Sequence, residues 1–162
     1  MKVLVTGGTG YLGSAIVKAL ASRGHEPVVF SRHATGSGLP GVRVDGDVRD
    51  ASAVLAAATG CAAICHTAAL VSVWRPRARD FDDVNVGGLR NVLEGVRRLE
   101  VSRLVYTSTF LALPPNGSKS PGSWNDYQRT KVLADRLARR AAESSVPLIA
   151  IYPGVVYGPG IR

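Results

Sequence analysis

Aromatic residues are scarce, 6% of 162 residues, and they are not interleaved with the basic ones. A stacking platform for nucleic-acid bases needs that interleaving. The formal charge of +8 therefore reads as a solvated basic surface that suits an anionic ligand, and no nucleic-acid partner is expected. The arginines are spread along the chain. Arg97, Arg98, Arg136, Arg139 and Arg140 fall on the polar sides of helical patterns. Cysteine is nearly absent as well. Cys61 and Cys65 have only His66 near them, whereas a metal site needs three or four ligands. Free buried thiols in a reducing compartment are the expectation, with no metal. Long apolar runs are missing, so no membrane span is expected. The opening residues Met1 to Val5 run straight into a glycine cluster and do not resemble a secretory leader. A cytoplasmic chain follows as the expectation.

Glycine is plentiful, with 18 residues, and its densest cluster organises the chain. Val3, Leu4 and Val5 read as a short buried strand. Gly7, Gly8, Gly10 and Gly13 break it. A helical pattern follows from Ser14, with Leu12, Ile16 and Leu20 on one face and Gly24 as its stop. Glycines between a strand and a helix permit a tight turn and let a diphosphate approach the main chain. The helix N-terminus then holds the anion. Gly7, Gly10 and Gly13, together with the backbone of Tyr11 and Leu12, are the candidate diphosphate cradle, so the pattern points to a dinucleotide.

The remaining elements alternate. Strands are expected at Pro27–Phe30, Val42–Val44, Cys61–His66, Arg103–Thr107 and Leu148–Tyr152. Helices are expected at Ala51–Ala58, Arg79–Leu99 and Tyr127–Glu143, the last with Leu133, Leu137 and Ala141 on one face. Asp50 is the expected N-cap of the helix at 51–58, and Gly60 its end. This is one α/β domain over 1–162, with a doubly wound parallel sheet, helices on both faces and right-handed crossovers.

Ligands of such sheets lie beyond the carboxyl ends of the strands. At the end of the second strand an acid usually takes the ribose hydroxyls of NAD. Here that place falls at Ser31, followed by Arg32. An arginine fork and a serine hydroxyl favour a 2′-phosphate, hence NADP, with NAD as the alternative. Asp47 and Val48 are candidate contacts for the adenine amino group and ring. Thr67, Ala68 and Ala69 leave room for the cofactor. Tyr127 and Lys131 lie four residues apart on one helix face. A nearby ammonium favours the phenolate, which would lower the tyrosine pKa, and Tyr127 can then act as general acid or base. A hydroxyl at Ser108 or Thr109 can hold the same substrate oxygen.

TGGTGYLG, GDVRD, HTAA, NVGGLRNVLE, VYTST, YQRTK and YPGVVYGPG occur in that order over essentially the whole chain. This succession resembles the extended short-chain dehydrogenase/reductase family, NAD-dependent epimerase/dehydratase-like. The stretches around ALVSVWRP and YTSTFLAL are most similar to its dihydroflavonol-4-reductase-like and farnesol dehydrogenase-like branch. The resemblance implies a Rossmann sheet in the order 3-2-1-4-5-6, with a seventh strand in the family. It implies Thr109, Tyr127 and Lys131 as the catalytic set, with Lys131 also on the nicotinamide ribose. Pro153 and Val156 would lie against the nicotinamide, and Asn85 behind the site. Members of such a family often dimerise, and the resemblance implies the helices near 79–99 and 127–143 as the contact, with Arg90, Arg97, Arg136 and Arg140 either near it or facing water.

The family runs to roughly twice this length, so a C-terminal substrate-binding portion is expected to be absent from these 162 residues. The interval from Thr109 to Tyr127 is also short for the family. Phe110 and Leu111 replace the Asp-Glu pair of sugar dehydratases, which argues against dehydration. With Leu113 and Trp74 they suggest an apolar pocket. The expected function is hydride transfer between a nicotinamide cofactor and an apolar carbonyl or alcohol. A nucleotide-sugar epimerase and a non-catalytic NADP-binding module are the alternatives.

Overall fold

The computed structural model describes residues 1–72, 76–115, 118, 120–122 and 124–158. Six strands form one parallel sheet: β1 (Lys2–Thr6), β2 (Glu26–Ser31), β3 (Val42–Asp45), β4 (Ala63–His66), β5 (Arg103–Thr107) and β6 (Leu148–Ile151). Their order is β3-β2-β1-β4-β5-β6, as expected of a Rossmann sheet. The order reverses between β1 and β4, which opens a crevice at their carboxyl ends. Every neighbouring pair is parallel, with Val5 level with Val29 and Cys65, and Cys65 level with Val105. The connecting helices are α1 (Tyr11–Ser22), α2 (Ala51–Ala58), α3 (Arg79–Phe81), α4 (Gly88–Arg98) and α5 (Asp126–Glu143).

Side chains alternate across the sheet, and its two faces are covered unequally. Leu4, Val28, Phe30, Ile64, Leu104 and Tyr106 pack with residues of α2, α4 and α5 into the main core. On the other face Val5 and Val29 pack with Val17 of α1 and with Ala34. Ile149 and Ile151 of β6 point to that second side and stay 45% and 39% exposed.

Two expected helix faces are rotated. On α1 the buried residues are Gly13 and Val17, with Ile16 and Leu20 flanking them. The absent side chain of Gly13 is what lets the helix sit close to the glycine loop. On α5 Leu133 is exposed, while Thr130, Lys131, Ala134, Asp135, Ala138 and Ala141 are buried. Small side chains bring α5 close to the sheet, and the buried polar ones belong to the site described below. The long helix at 79–98 is also not uniform. Residues Asp82–Gly87 form a π-helical turn between α3 and α4, and wide turns of this kind mark functional positions. It carries Asn85 inward, 3% exposed.

Asp50 caps α2 as expected, its side chain accepting from the backbone N–H of Ser52 and Ala53 at 2.9 and 3.1 Å. Asp50→Ala is expected to lower the melting temperature by about 3 °C without altering ligand binding. Calorimetry of the two proteins checks it. Cys61 and Cys65 are free thiols, Cys61 buried and Cys65 half-buried. Burial raises both thiol pKa values, so neither is an activated nucleophile.

Candidate active site

The loop after β1 is built by contacts that exclude side chains. Gly7 has φ +68, and a Cβ there would lie 2.8 Å from the backbone N and Cα of Ala68. The Gly10 N–H donates to the Gly7 carbonyl at 2.9 Å. A Cβ on Gly13 would collide with that same carbonyl. Gly10 is the N-cap of α1 and provides no side-chain cap. The first-turn N–H groups of Tyr11, Leu12 and Gly13 therefore have no intrahelical partner. A helix start left in this state, over a cradle that a Cβ would fill, fits a diphosphate.

A cleft of about 350 Å³ opens above this loop. Of the residues expected to bind cofactor, Gly7, Gly10, Ser31, Arg32, Asp47, Val48, Thr67, Ala68 and Ala69 line it. Tyr11, Leu12 and Gly13 lie beneath the loop in the first turn of α1. The Tyr11 hydroxyl reaches the segment after β6, 2.8 Å from where a Cβ on Gly158 would stand. Ser31 Oγ accepts from Thr9 Oγ1 at 2.9 Å, which leaves the Ser31 proton free to donate. Arg32 is exposed at the rim. Asp47 is held by Arg49, whose Nε and Nη2 donate to it at 3.0 and 2.6 Å. The hydrogen-bonded guanidinium keeps the Asp47 carboxyl below its usual range. Val48 is buried and also belongs to the core. Asn91 of α4 fixes this loop by donating to the carbonyls of Val48 and Arg49, both at 3.0 Å.

Thr9, Arg49, Leu70 and Val84 line the cleft too, and sequence reasoning did not single them out. Thr9 was legible as the one hydroxyl inside the glycine loop. Arg49 and Leu70 lie within the quoted stretches GDVRD and ALVSVWRP, but nothing in those stretches marked them as cleft residues, and Val84 is brought in by folding.

The candidate catalytic side chains gather where β5 ends against α5. Thr109 is 6% exposed, and its Oγ1 accepts from the Leu111 N–H at 3.4 Å. Burial raises the Tyr127 pKa above its ordinary value, and interaction with the Thr109 side chain offsets part of that rise. The expected lowering by Lys131 is therefore corrected, and the reason is geometric. Lys131 Nζ donates to the Thr107 carbonyl at 2.8 Å and lies 5.0 Å from the Tyr106 ring centroid. Burial brings the Lys131 pKa down to about 8, opposed by the charge of Asp135. Between Ser108 and Thr109 the structure discriminates. Ser108 Oγ is committed to Asp135 Oδ1 at 3.0 Å, so Thr109 is the available hydroxyl.

Asn85 joins the cleft to α5, the helix that bears Tyr127 and Lys131. Its Oδ1 accepts from the Leu70 N–H at 2.8 Å, and its Nδ2 donates to Thr130 Oγ1 at 3.0 Å. Beneath the site His66 stacks on Tyr106, with ring centroids 5.9 Å apart. Burial, helped by Lys131, pushes the His66 pKa down to about 3, so it is neutral. The Pro153 carbonyl accepts from the Phe110 N–H at 3.2 Å, which sets Pro153 beside Thr109. Val156 is exposed beyond β6. Phe110 is half-exposed, Leu111 and Leu113 are half-buried, and Trp74 lies outside the described residues. Among the described residues no cluster of ligands could hold a metal, and no helix is long and apolar enough to cross a membrane.

Comparison with known proteins gives the family and the fold. The model of the NAD dependent epimerase/dehydratase family matches residues 3–162. Sterol demethylase protein B of Methylococcus capsulatus is 34% identical, over 98% of this chain and 52% of that protein. The 2-alkyl-3-oxoalkanoate reductase of Stenotrophomonas maltophilia is 35% identical, over 99% and 52%. Among solved structures, the UDP-glucose 4-epimerase of Thermus thermophilus in complex with NAD superposes with a TM-score of 0.84 and 30% identity, over 100% of this chain and 58% of that one. The chain thus spans about half the length of the curated relatives it matches.

Proposed function

The chain belongs to the NAD dependent epimerase/dehydratase family, within the extended short-chain dehydrogenases/reductases, and from that premise we propose that it moves hydride between a nicotinamide dinucleotide and an apolar carbonyl or alcohol. The observation that carries this reading is the junction of two sites. A cleft over an uncapped helix start, suited to a dinucleotide, is tied through Asn85 to a helix bearing Tyr127 and Lys131. Bound at the cleft, the nicotinamide supplies or accepts the hydride. Gly7, Gly10 and the first turn of α1 hold the diphosphate, and Thr67 to Ala69 give the cofactor room.

Tyr127, kept protonated by burial, donates its phenolic proton to the substrate oxygen during reduction. Thr109 Oγ1 holds the same oxygen, placing the carbonyl carbon toward Pro153 and the nicotinamide. Lys131, its ammonium held toward β5 by the Thr107 carbonyl, binds the nicotinamide ribose. Since Lys131 loses its charge as pH rises through about 8, turnover is expected to decline on that alkaline side. A pH profile of kcat checks it. The apolar side of Phe110, Leu111 and Leu113 supports a substrate like that named for the Stenotrophomonas reductase. A screen of aliphatic and aromatic ketones with NADPH tests the assignment. Hydride transfer to some of them is expected, and its absence from all of them would favour a non-catalytic cofactor-binding module.

Arg32 and Ser31 support NADP over NAD. Arg32→Ala is expected to weaken NADPH binding about tenfold or more and to leave NADH binding nearly unchanged, because only the 2′-phosphate meets the guanidinium. Equilibrium titration of both cofactors reads the difference. The likeness to a UDP-glucose 4-epimerase supports a second reading as a sugar epimerase, which analysis of the products from nucleotide sugars would reveal. A homodimer through α4 and α5 is likewise a proposal, checked by the sedimented mass.

A further inference from the structure

The face of α5 that carries Tyr127 and Lys131 continues, at the same spacing of four, to Asp135 and Arg139. Asp135 is a carboxylate buried to 5% side-chain exposure. It accepts from Ser108 Oγ at 3.0 Å and from Arg139 Nε at 2.7 Å. Arg139 in turn donates from Nη2 to the Tyr152 hydroxyl at 3.0 Å, and its guanidinium lies 5.6 Å from the Tyr152 ring centroid. One carboxylate thereby connects three elements of the site. Ser108 immediately precedes Thr109 at the end of β5, Lys131 lies one turn earlier on α5, and Tyr152 immediately precedes Pro153 after β6. An ion pair with Arg139 alone could form at the surface, where it would avoid the cost of desolvating the carboxylate.

We propose that Asp135 is a positioning residue for the Tyr127–Lys131 pair: buried one helical turn beyond Lys131, it sets a carboxylate on that face of α5, and its bond to Ser108 fixes the strand end that presents Thr109. This rests on the hydride-transfer reading above. The electrostatic surroundings of Lys131 support it. From β4 it faces His66, which is neutral. From β5 it faces the Tyr106 ring and the Thr107 carbonyl. Along α5 stand Tyr127, whose phenol is protonated, and Asp135. Asp135 is thus the carboxylate that opposes discharge of Lys131. Desolvation favours the neutral amine, and a nearby negative charge favours the ammonium.

The test is a pH titration of the lysine side-chain NMR resonances in the full chain, with Lys131 assigned by its loss in Lys131→Met. Asp135→Asn keeps an oxygen for Ser108 and removes the charge. It is expected to move the Lys131 midpoint down by about one unit. The alkaline limb of kcat should shift with it, while cofactor affinity stays near that of the parent. Arg139→Gln, at a more exposed position, removes the competing cation and is expected to move the midpoint up, so it decides the matter if Asp135→Asn does not fold. An unmoved Lys131 midpoint in a folded variant overturns the proposal, even if its melting temperature falls. A midpoint that moves in a chain transferring no hydride would leave the role of Asp135 standing and overturn the hydride-transfer reading.

Discussion

Replacing Tyr127 by Phe is expected to reduce hydride transfer by about 10²–10⁴-fold, the usual contribution of a positioned general acid, while NADPH binding stays within about twofold of the parent. The change removes one hydroxyl and keeps the ring. Thr109 then still holds the substrate oxygen, but no neighbouring group supplies its proton. Ser108 cannot take over, because its hydroxyl is engaged by the buried Asp135. Lys131 cannot either, because its ammonium is bonded to the Thr107 carbonyl on β5. Single-turnover rates and cofactor titration separate the two quantities. Unchanged turnover would sink the assignment of Tyr127. A parallel loss of cofactor binding would make it a structural residue.

Gly13→Val is the second large effect. A Cβ at Gly13 meets the Gly7 carbonyl and the Gly8 Cα inside 3 Å, and these are backbone atoms that no rotamer can move aside. The loop or the first turn of α1 must shift. Overpacking of this kind costs about 1–3 kcal/mol of stability. The larger consequence is for the ligand. Gly7 is pinned against Ala68 on its other side, so the displacement falls on the N–H groups of the first turn of α1, where the diphosphate is proposed to sit. Binding of either dinucleotide is expected to weaken by roughly two orders of magnitude, the equivalent of losing one or two charge-assisted hydrogen bonds. Circular dichroism with equilibrium titration distinguishes a folded chain that cannot bind from an unfolded one. A folded variant that binds like the parent would place the diphosphate elsewhere.

The strands were legible as compact β-branched or apolar runs, some of which close on a turn or acid residue: Val3 to Val5 runs into the glycine loop and Val42 to Val44 into Asp45. The helix start at Asp50 was legible from capping chemistry; the helix after the glycine loop begins at Tyr11, three residues before the expected Ser14, because its N-cap Gly10 carries no capping side chain. Helix faces were less so, for one physical reason. Hydrophobicity locates a face only where large apolar residues do the packing. Gly13 is buried because it is small. Along α5 the sheet is approached by alanines and by the polar residues Thr130, Lys131 and Asp135, so Leu133 is displaced to the exposed side.

The direction of the Tyr127 shift was likewise hidden. Spacing places Lys131 on the same face but says nothing of the Thr107 carbonyl that draws its ammonium toward β5. The clamp of Asn85 on Leu70 and Thr130, and that of Arg49 on Asp47, depend on a π-helical turn and a loop geometry that no residue pattern announces. Asp135 did lie in the pattern, four residues beyond Lys131. The sequence alone did not show that its carboxylate is buried.

Fluorescence titration of the 162-residue chain with NADPH and with NADH, followed by thermal unfolding at saturation, addresses the cleft directly. Saturable binding that favours NADPH, with a melting temperature that rises with ligand concentration, is the expected result. It would place a nicotinamide dinucleotide over the glycine loop with Arg32 at its 2′-phosphate. A preference for NADH would remove the role given to Arg32 and leave the cleft as the cofactor site. A cooperatively folded chain that binds neither would contradict the dinucleotide site itself, and with it the hydride transfer built upon it.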